Sequence, residues 1–268
     1  MIARSRISIV TISFNQARYL PDAILSVNCA NPGRLQYVIV DPGSTDGSRQ
    51  IIEAHRSRFS RVVLEPDLGP ADGLNKGFSL CDGDVFGYVN SDDRFCPGAL
   101  DFVLEYFDAN AHIDVLCGAV RMIDKNGRAD NRNRTPDKMD LQRFAYRACF
   151  IWQQATFFRR EAFERVGGFN SRNTVHWDSE LVVDMVLNGA RIGYVRKLLG
   201  DHRRHESTIT GSKKFLEVDA KEHPRIQRKI FDAGYAPLSP WRARALKLRY
   251  KFNFKRHYRY LFGVEPLR

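Results

Sequence analysis

Residues 85–93 read VFGYVNSDD, an apolar run that stops abruptly at two adjacent carboxylates. A β-strand ending this way delivers both acids to the carboxyl edge of a sheet. Open α/β sheets bind ligands at that edge, and a hard divalent cation finds oxygen ligands there. The run therefore predicts a sheet and a site on its rim, without yet naming a reaction.

The surrounding pattern supports the sheet. Short apolar runs at 7–12, 37–40, 61–64 and 85–89 alternate with helix-like segments near 17–30, 48–58 and 71–81. This β-α-β-α order predicts a mostly parallel sheet covered by helices. Connections at the strand ends, such as DPGSTDGS at 41–48, are rich in Gly, Asp and Ser, which suit tight turns and leave polar groups facing a ligand. Past Asp93 the pattern predicts a helix over 97–107, a strand over 114–120 and a polar loop over 124–137. A second patterned block runs over 150–193, with a helix over 178–187 that ends at Asn188-Gly189.

With 268 residues, 43% of them hydrophobic, the chain can bury one large domain or two small ones. Its five cysteines are odd in number, scattered and without C-x-x-C spacing, which points to reduced structural thiols in a cytosolic chain and not to a disulfide framework or a zinc site. The first residues, MIARSRISIVTISF, read as a strand and not as a signal peptide, because the apolar run is short and meets Ser13 and Asn15. No stretch approaches the roughly 20 apolar residues needed to span a bilayer.

Five strings now stand in order: TISFN at 11–15, VDPGSTDGS at 40–48, DLGPADGLNKG at 67–77, NSDD at 90–93 and WDSEL at 177–181. Together they resemble the inverting glycosyltransferases of family 2, over roughly residues 5–210. The resemblance implies a GT-A fold, a Rossmann-like and mostly parallel central sheet flanked by helices. Residues 1–95 would form the nucleotide-sugar half and 96–211 the acceptor and catalytic half. Residues 212–268 would be a basic C-terminal helical extension.

The resemblance also implies roles. Thr11, Ser13, Asn15, Asp41 and Ser44 fall where the family contacts the nucleotide, and Asp72, Asn75 and Lys76 in the D-x-x-N-K-G segment fall beside the donor. Asp92 and Asp93 match a variant of the D-x-D metal motif in which Asn90 replaces the first acid. Asp93 is then the expected direct ligand of Mn²⁺ or Mg²⁺, and Asp92 a metal or ribose contact. His205, in DHRRHEST, would complete the metal side, with Arg203 or Arg204 on the diphosphate. Inversion needs a base on the acceptor side, a role that falls to Asp178 with Glu180 in reserve. Gln153, Gln154 and Trp177 would line the acceptor side. Each residue also has an ordinary structural reading: the acid pair or Asp72 as helix caps, the 41–48 segment as a plain turn, Asp178 and His205 as solvated side chains, the glutamines as buried scaffold.

The tail carries most of the net charge of +11, with eight Lys or Arg and no acid in 239–262. Leu246, Tyr250, Phe254, Tyr258 and Leu261 recur among them at helical steps. Three readings stay open: a helix on an anionic membrane surface, a helix packed on the core, and a nucleic-acid patch.

The expected function is transfer of a sugar from a nucleoside diphosphate donor, UDP before GDP or dTDP, to a glycan or lipid-linked acceptor. The setting would be cytoplasmic, peripheral on the inner membrane face, in bacterial surface polysaccharide or lipopolysaccharide assembly, with no nucleic acid as partner. A nucleotidyltransferase would need a Gly-rich basic loop after the first strand, which TISFNQARYL lacks. A non-catalytic glycan- or nucleic-acid-binding module would predict loss of the acids, which are present.

Overall fold

The computed structural model describes residues 4–206 and 213–252. The first half is a succession of β-α-β units: β1 (Ile7–Ile12), α1 (Leu20–Ser26), β2 (Leu35–Val40), α2 (Ser48–Ala54), β3 (Arg61–Val63), α3 (Pro70–Phe78) and β4 (Val85–Asn90). The four strands are parallel in the order β3-β2-β1-β4, with Ile12 opposite both Val40 and Asn90. Three strands therefore end at one level.

The second half adds β5 (Arg94–Phe95), α4 (Ala99–Ala109), β6 (Val115–Ile123), β7 (Ala129–Arg134), α5 (Leu141–Ala145), β8 (Thr156–Arg159), α6 (Arg160–Arg165), α7 (Trp177–Leu187), β9 (Ile192–Arg203), α8 (Lys213–Asp232) and α9 (Pro240–Lys251). The sheet continues from β4 through β8, β6 and β9 to β5, with β8 antiparallel to both of its neighbours. The parallel expectation holds for the first half, while the second is mixed.

Alternation along the strands builds a core on each face of the sheet. Ile7, Ile9, Tyr37, Ile39, Val85 and Val89 pack with α1 and α4 on one face, and Val10, Val38, Val40, Phe86 and Tyr88 pack with α3, α6 and α7 on the other. A third, smaller cluster joins α5, α7, α8 and α9 through Leu141, Val183, Ile226 and Ile230. β1, β2 and β4 are buried on both faces and read as continuous apolar runs, which is why they stood out in the sequence, whereas β3 is a half-exposed edge strand.

The polar stretch 124–137 contains a strand where a loop was expected: β7 pairs with β6 antiparallel. Its sequence, ADNRNR, carries no apolar alternation. The predicted α7 stop is present, and Gly189 takes the left-handed conformation (φ 81°) that ends the helix.

Gly200 in β9 is a close-approach glycine. A Cβ there would collide with the backbone carbonyl of Gln154 and lie 2.9 Å from its Cβ. Since backbone cannot swing aside as a long side chain does, Gly200→Ala is expected to cost about 1–3 kcal/mol, read by thermal denaturation.

Candidate active site

The carboxyl ends of β2, β1 and β4 lie side by side and hold the first group of predicted residues. Asp41, fully buried, follows β2, and its Oδ1 accepts from the backbone N–H groups of Gly43 and Ser44 and from Arg49 Nε. Ser13 follows β1 and is tied to β2 by a bond from its N–H to the Val40 carbonyl. Asn90 closes β4 and donates to Gln153 Oε1. Each of the three carries a buried oxygen without a hydrogen-bond partner: Asp41 Oδ2, Ser13 Oγ and Asn90 Oδ1. An unsatisfied buried polar group costs roughly 1–3 kcal/mol, so three of them on adjacent strand ends mark a place where a ligand supplies the partners.

Other predicted donor residues are engaged within the protein. Thr11 shares a hydrogen bond with Tyr37 in the core. Asn15, at φ 52°, accepts from the Thr45 N–H, and its own N–H donates to Ser44 Oγ, so both residues shape the loop beside Asp41. Asp72 accepts from the Leu68 N–H and pairs with Lys76, which also donates to the Pro66 carbonyl. Asn75 is bound at both ends to the backbone of Phe169, donating to its carbonyl and accepting from its N–H. The D-x-x-N-K-G segment thus pins α3 to the chain after α6.

The acid pair sits in a network that β9 completes. Asp92 Oδ2 lies 3.0 Å from His205 Nε2, and Asp93 accepts from the Arg203 N–H on Oδ1 and from Gln154 Nε2 on Oδ2. His202 Nδ1 is 2.8 Å from Gln154 Nε2 and 3.6 Å from Asp93 Oδ1. Asp92 is the half-buried member and Asp93 the buried one. Burial and then the Asp93 charge push the Asp92 carboxyl up to about 6, against the opposing pull of His205. The pair does not cap the following helix, which starts at Ala99 after Gly98.

Arg203 is almost fully buried. Its guanidinium donates to the Asp92 carbonyl and to Asp22, and it lies over the Tyr19 ring, 4.9 Å from its centroid. It holds the acid turn from within, whereas Arg204 is exposed. Tyr19 also meets the His205 ring, at 4.7 Å between centroids. His202 and Tyr19 escaped the sequence reading. His202 lies in the same DHRRHEST string as His205, but His202 is still in β9 beside Asp93 while His205 lies beyond the strand's end at Arg203, beside Asp92.

Asp178, the expected base, lies in the first turn of α7 and lines a pocket with Tyr88, Gln153, Thr156 and Phe158. Gln153 donates to the Tyr88 carbonyl and receives the Asn90 amide, so the pocket adjoins the end of β4. Burial raises the Asp178 carboxyl above the usual carboxylate range, opposed by the Ser179 N–H and by His176. The Ser179 N–H and hydroxyl both donate to Oδ1.

Glu180 has a different environment. It is fully buried and accepts from Asn170, Asn173, Arg225 and Lys229. Burial pushes its carboxyl up, but Arg225, Lys229 and Asn173 outweigh it and hold the group down at about 2. A carboxylate so engaged is a poor proton acceptor. Trp177 is also buried, packed against Tyr88 and Phe169.

The glycosyl transferase family 2 model matches residues 8–167. An uncharacterized glycosyltransferase of Nostoc sp. is 27% identical over 233 residues, covering 83% of this chain and 72% of its own. A putative teichuronic acid biosynthesis glycosyltransferase of Bacillus subtilis is 31% identical over 103 residues, 37% of this chain and 41% of its own. Among solved structures, S. aureus TarS 1-349 in complex with UDP-GlcNAc superposes with a TM-score of 0.66 at 20% identity, covering 97% of this chain and 76% of that one. The GT-A fold follows from that likeness. With the family model spanning more than half its length, the chain belongs to glycosyl transferase family 2 and is a glycosyltransferase.

Proposed function

We propose that this enzyme moves a sugar, with inversion, from a nucleoside diphosphate donor to a glycan or lipid-linked acceptor during assembly of a surface polysaccharide. The observation that carries the reading is the row of three unpartnered oxygens at the ends of β2, β1 and β4, immediately beside the acid pair. A nucleoside brings N–H and hydroxyl donors that Asp41 Oδ2 and Ser13 Oγ lack. The UDP-GlcNAc held by TarS and the teichuronic acid pathway of the Bacillus relative suggest UDP as first choice and a surface glycan as product.

Among the described residues no three His, Cys, Asp or Glu side chains converge as a metal cage. A cation that bridges phosphate oxygens needs only one or two protein ligands, because the substrate supplies others. Asp92 and His205 fit that requirement, with Asp93 as the buried support that fixes the turn. Bound there, a divalent cation would neutralise charge on the departing diphosphate. Asp178 takes the proton of the acceptor hydroxyl as that oxygen attacks the anomeric carbon. Its Oδ1 is already occupied by Ser179, so Oδ2 is the basic oxygen.

A thermal-shift comparison of UDP, GDP, dTDP and CMP with Mn²⁺ tests the donor assignment. UDP is expected to raise the melting temperature, by an amount equivalent to about 2.7 kcal/mol at a hundredfold excess over its Kd. Asp92→Asn should remove the Mn²⁺-dependent part. In the wild type that part should fade as pH falls below about 6, since a protonated Asp92 is no cation ligand. Absence of a response to all four nucleotides would overturn the reading.

A further inference from the structure

The apolar stripe expected of the tail points inward where it is described. Leu246 packs with Ala243 against the third core cluster, and the Tyr250 hydroxyl donates to Asp137. Phe254, Tyr258 and Leu261 lie outside the described residues. The core-packing reading therefore accounts for the inner face of α9.

α9 has a second apolar line on its opposite side. Trp241, Leu248 and Phe252 are 67%, 48% and 62% exposed. Separations of seven and four residues bring them onto one line along the helix. At 3.6 residues per turn, Arg242 and Arg249 fall along one flank of that line, and Arg244, Lys247 and Lys251 along the other. All five cations are exposed. Arg242 lies over the Trp241 ring at 5.2 Å and Lys251 lies 5.9 Å from the centre of Phe252. No Asp or Glu occurs over 233–264. A helix that only packed on the core would carry polar groups on its outer face.

We propose that this outer face of α9 docks the enzyme on an anionic lipid bilayer, with Trp241, Leu248 and Phe252 entering the headgroup boundary and the flanking cations meeting lipid phosphates. An aromatic and aliphatic line between two rows of cations is the pattern of a helix lying in a membrane interface. The charge complementarity is one-sided, since no acid in the segment offsets it. Nucleic acid would use the cations and the rings but has no use for an exposed Leu248 in line with them. The docking is independent of the donor chemistry, so either can fail without the other.

The test uses the full chain and vesicles of phosphatidylcholine with or without an equal part of phosphatidylglycerol. The protein should sediment with the anionic vesicles alone, less at high salt, and its tryptophan emission should shift to the blue. Trp241→Phe should abolish the blue shift while vesicle binding persists. The triple change Trp241→Ser, Leu248→Ser, Phe252→Ser keeps every cation and should lower the partition coefficient by at least about tenfold. Its thermal unfolding should match the wild type, because these side chains belong to none of the three core clusters. Undiminished binding by the triple variant would reduce the contact to charge alone and overturn the proposal. Binding of a single-stranded oligonucleotide without vesicle binding, or an unchanged blue shift in Trp241→Phe, would overturn it equally.

Discussion

Asp178→Asn is expected to lower kcat for sugar transfer by about a thousandfold, inside the range of roughly 10²–10⁴ that a positioned general base contributes. The amide keeps the size and the bond from the Ser179 N–H but cannot take a proton. The groups proposed to bind the donor lie at the ends of β1, β2 and β4, so the nucleotide-induced thermal shift should survive. In the wild type Asp178 should add an acidic limb to kcat/KM against pH that lies above the ordinary carboxylate range, because burial raises this group, and in the variant only the limb set by Asp92 should remain. A variant that transfers sugar at the wild-type rate would move the base elsewhere in the pocket.

The second large effect is on stability. Glu180→Ala removes the acid on which Asn170, Asn173, Arg225 and Lys229 converge. Removing one member of a buried ionic group costs about 3–5 kcal/mol. Arg225 retains Glu222 and Lys229 retains Asp184, which places the expected loss near the lower end, at about 3 kcal/mol. Thermal unfolding should report it as a fall on the order of 6–12 °C for a chain of this size. The sign of the pH dependence follows from the depressed carboxyl. Its contribution is complete above the unfolded value of 4.5 and is lost as pH falls toward about 2. Glu180→Gln should flatten stability over that window.

The first half was legible because β1, β2 and β4 are buried on both faces and the turns after them carry Asp, Ser and Gly at the sheet edge. The NSDD acids, Asp41 and Ser13 all stand where the ordered motifs put them. Less legible was which member of a motif faces a ligand. Asp93 read as the metal ligand, yet both of its oxygens are held by Gln154 and the Arg203 N–H, and Asp92 is the one facing a histidine. The resemblance puts Asn75 and Arg203 among the ligand contacts, but long-range partners engage them, Phe169 for one and Asp22 for the other. Those partners are 94 and 181 residues away in the chain, beyond any spacing rule. Within the helical extension expected over 212–268, α8 packs on α5 and α7 through Ile226 and Ile230, an inward contact that Pro224 and a run of charges disguise in the sequence.

The Glu180 clamp also sets an order of events during synthesis. Arg225 and Lys229 follow Glu180 by 45 and 49 residues, and the helix they clamp carries Asp178. At the ribosomal rate of about 5–20 residues per second, α7 is complete on the order of 2–8 s before its cationic partners exist. For that interval Glu180 has no counterion with which to be buried, so α7 has reason to stay undocked. The helix that carries the proposed base, Asp178, is therefore fixed late, when α8 closes on it.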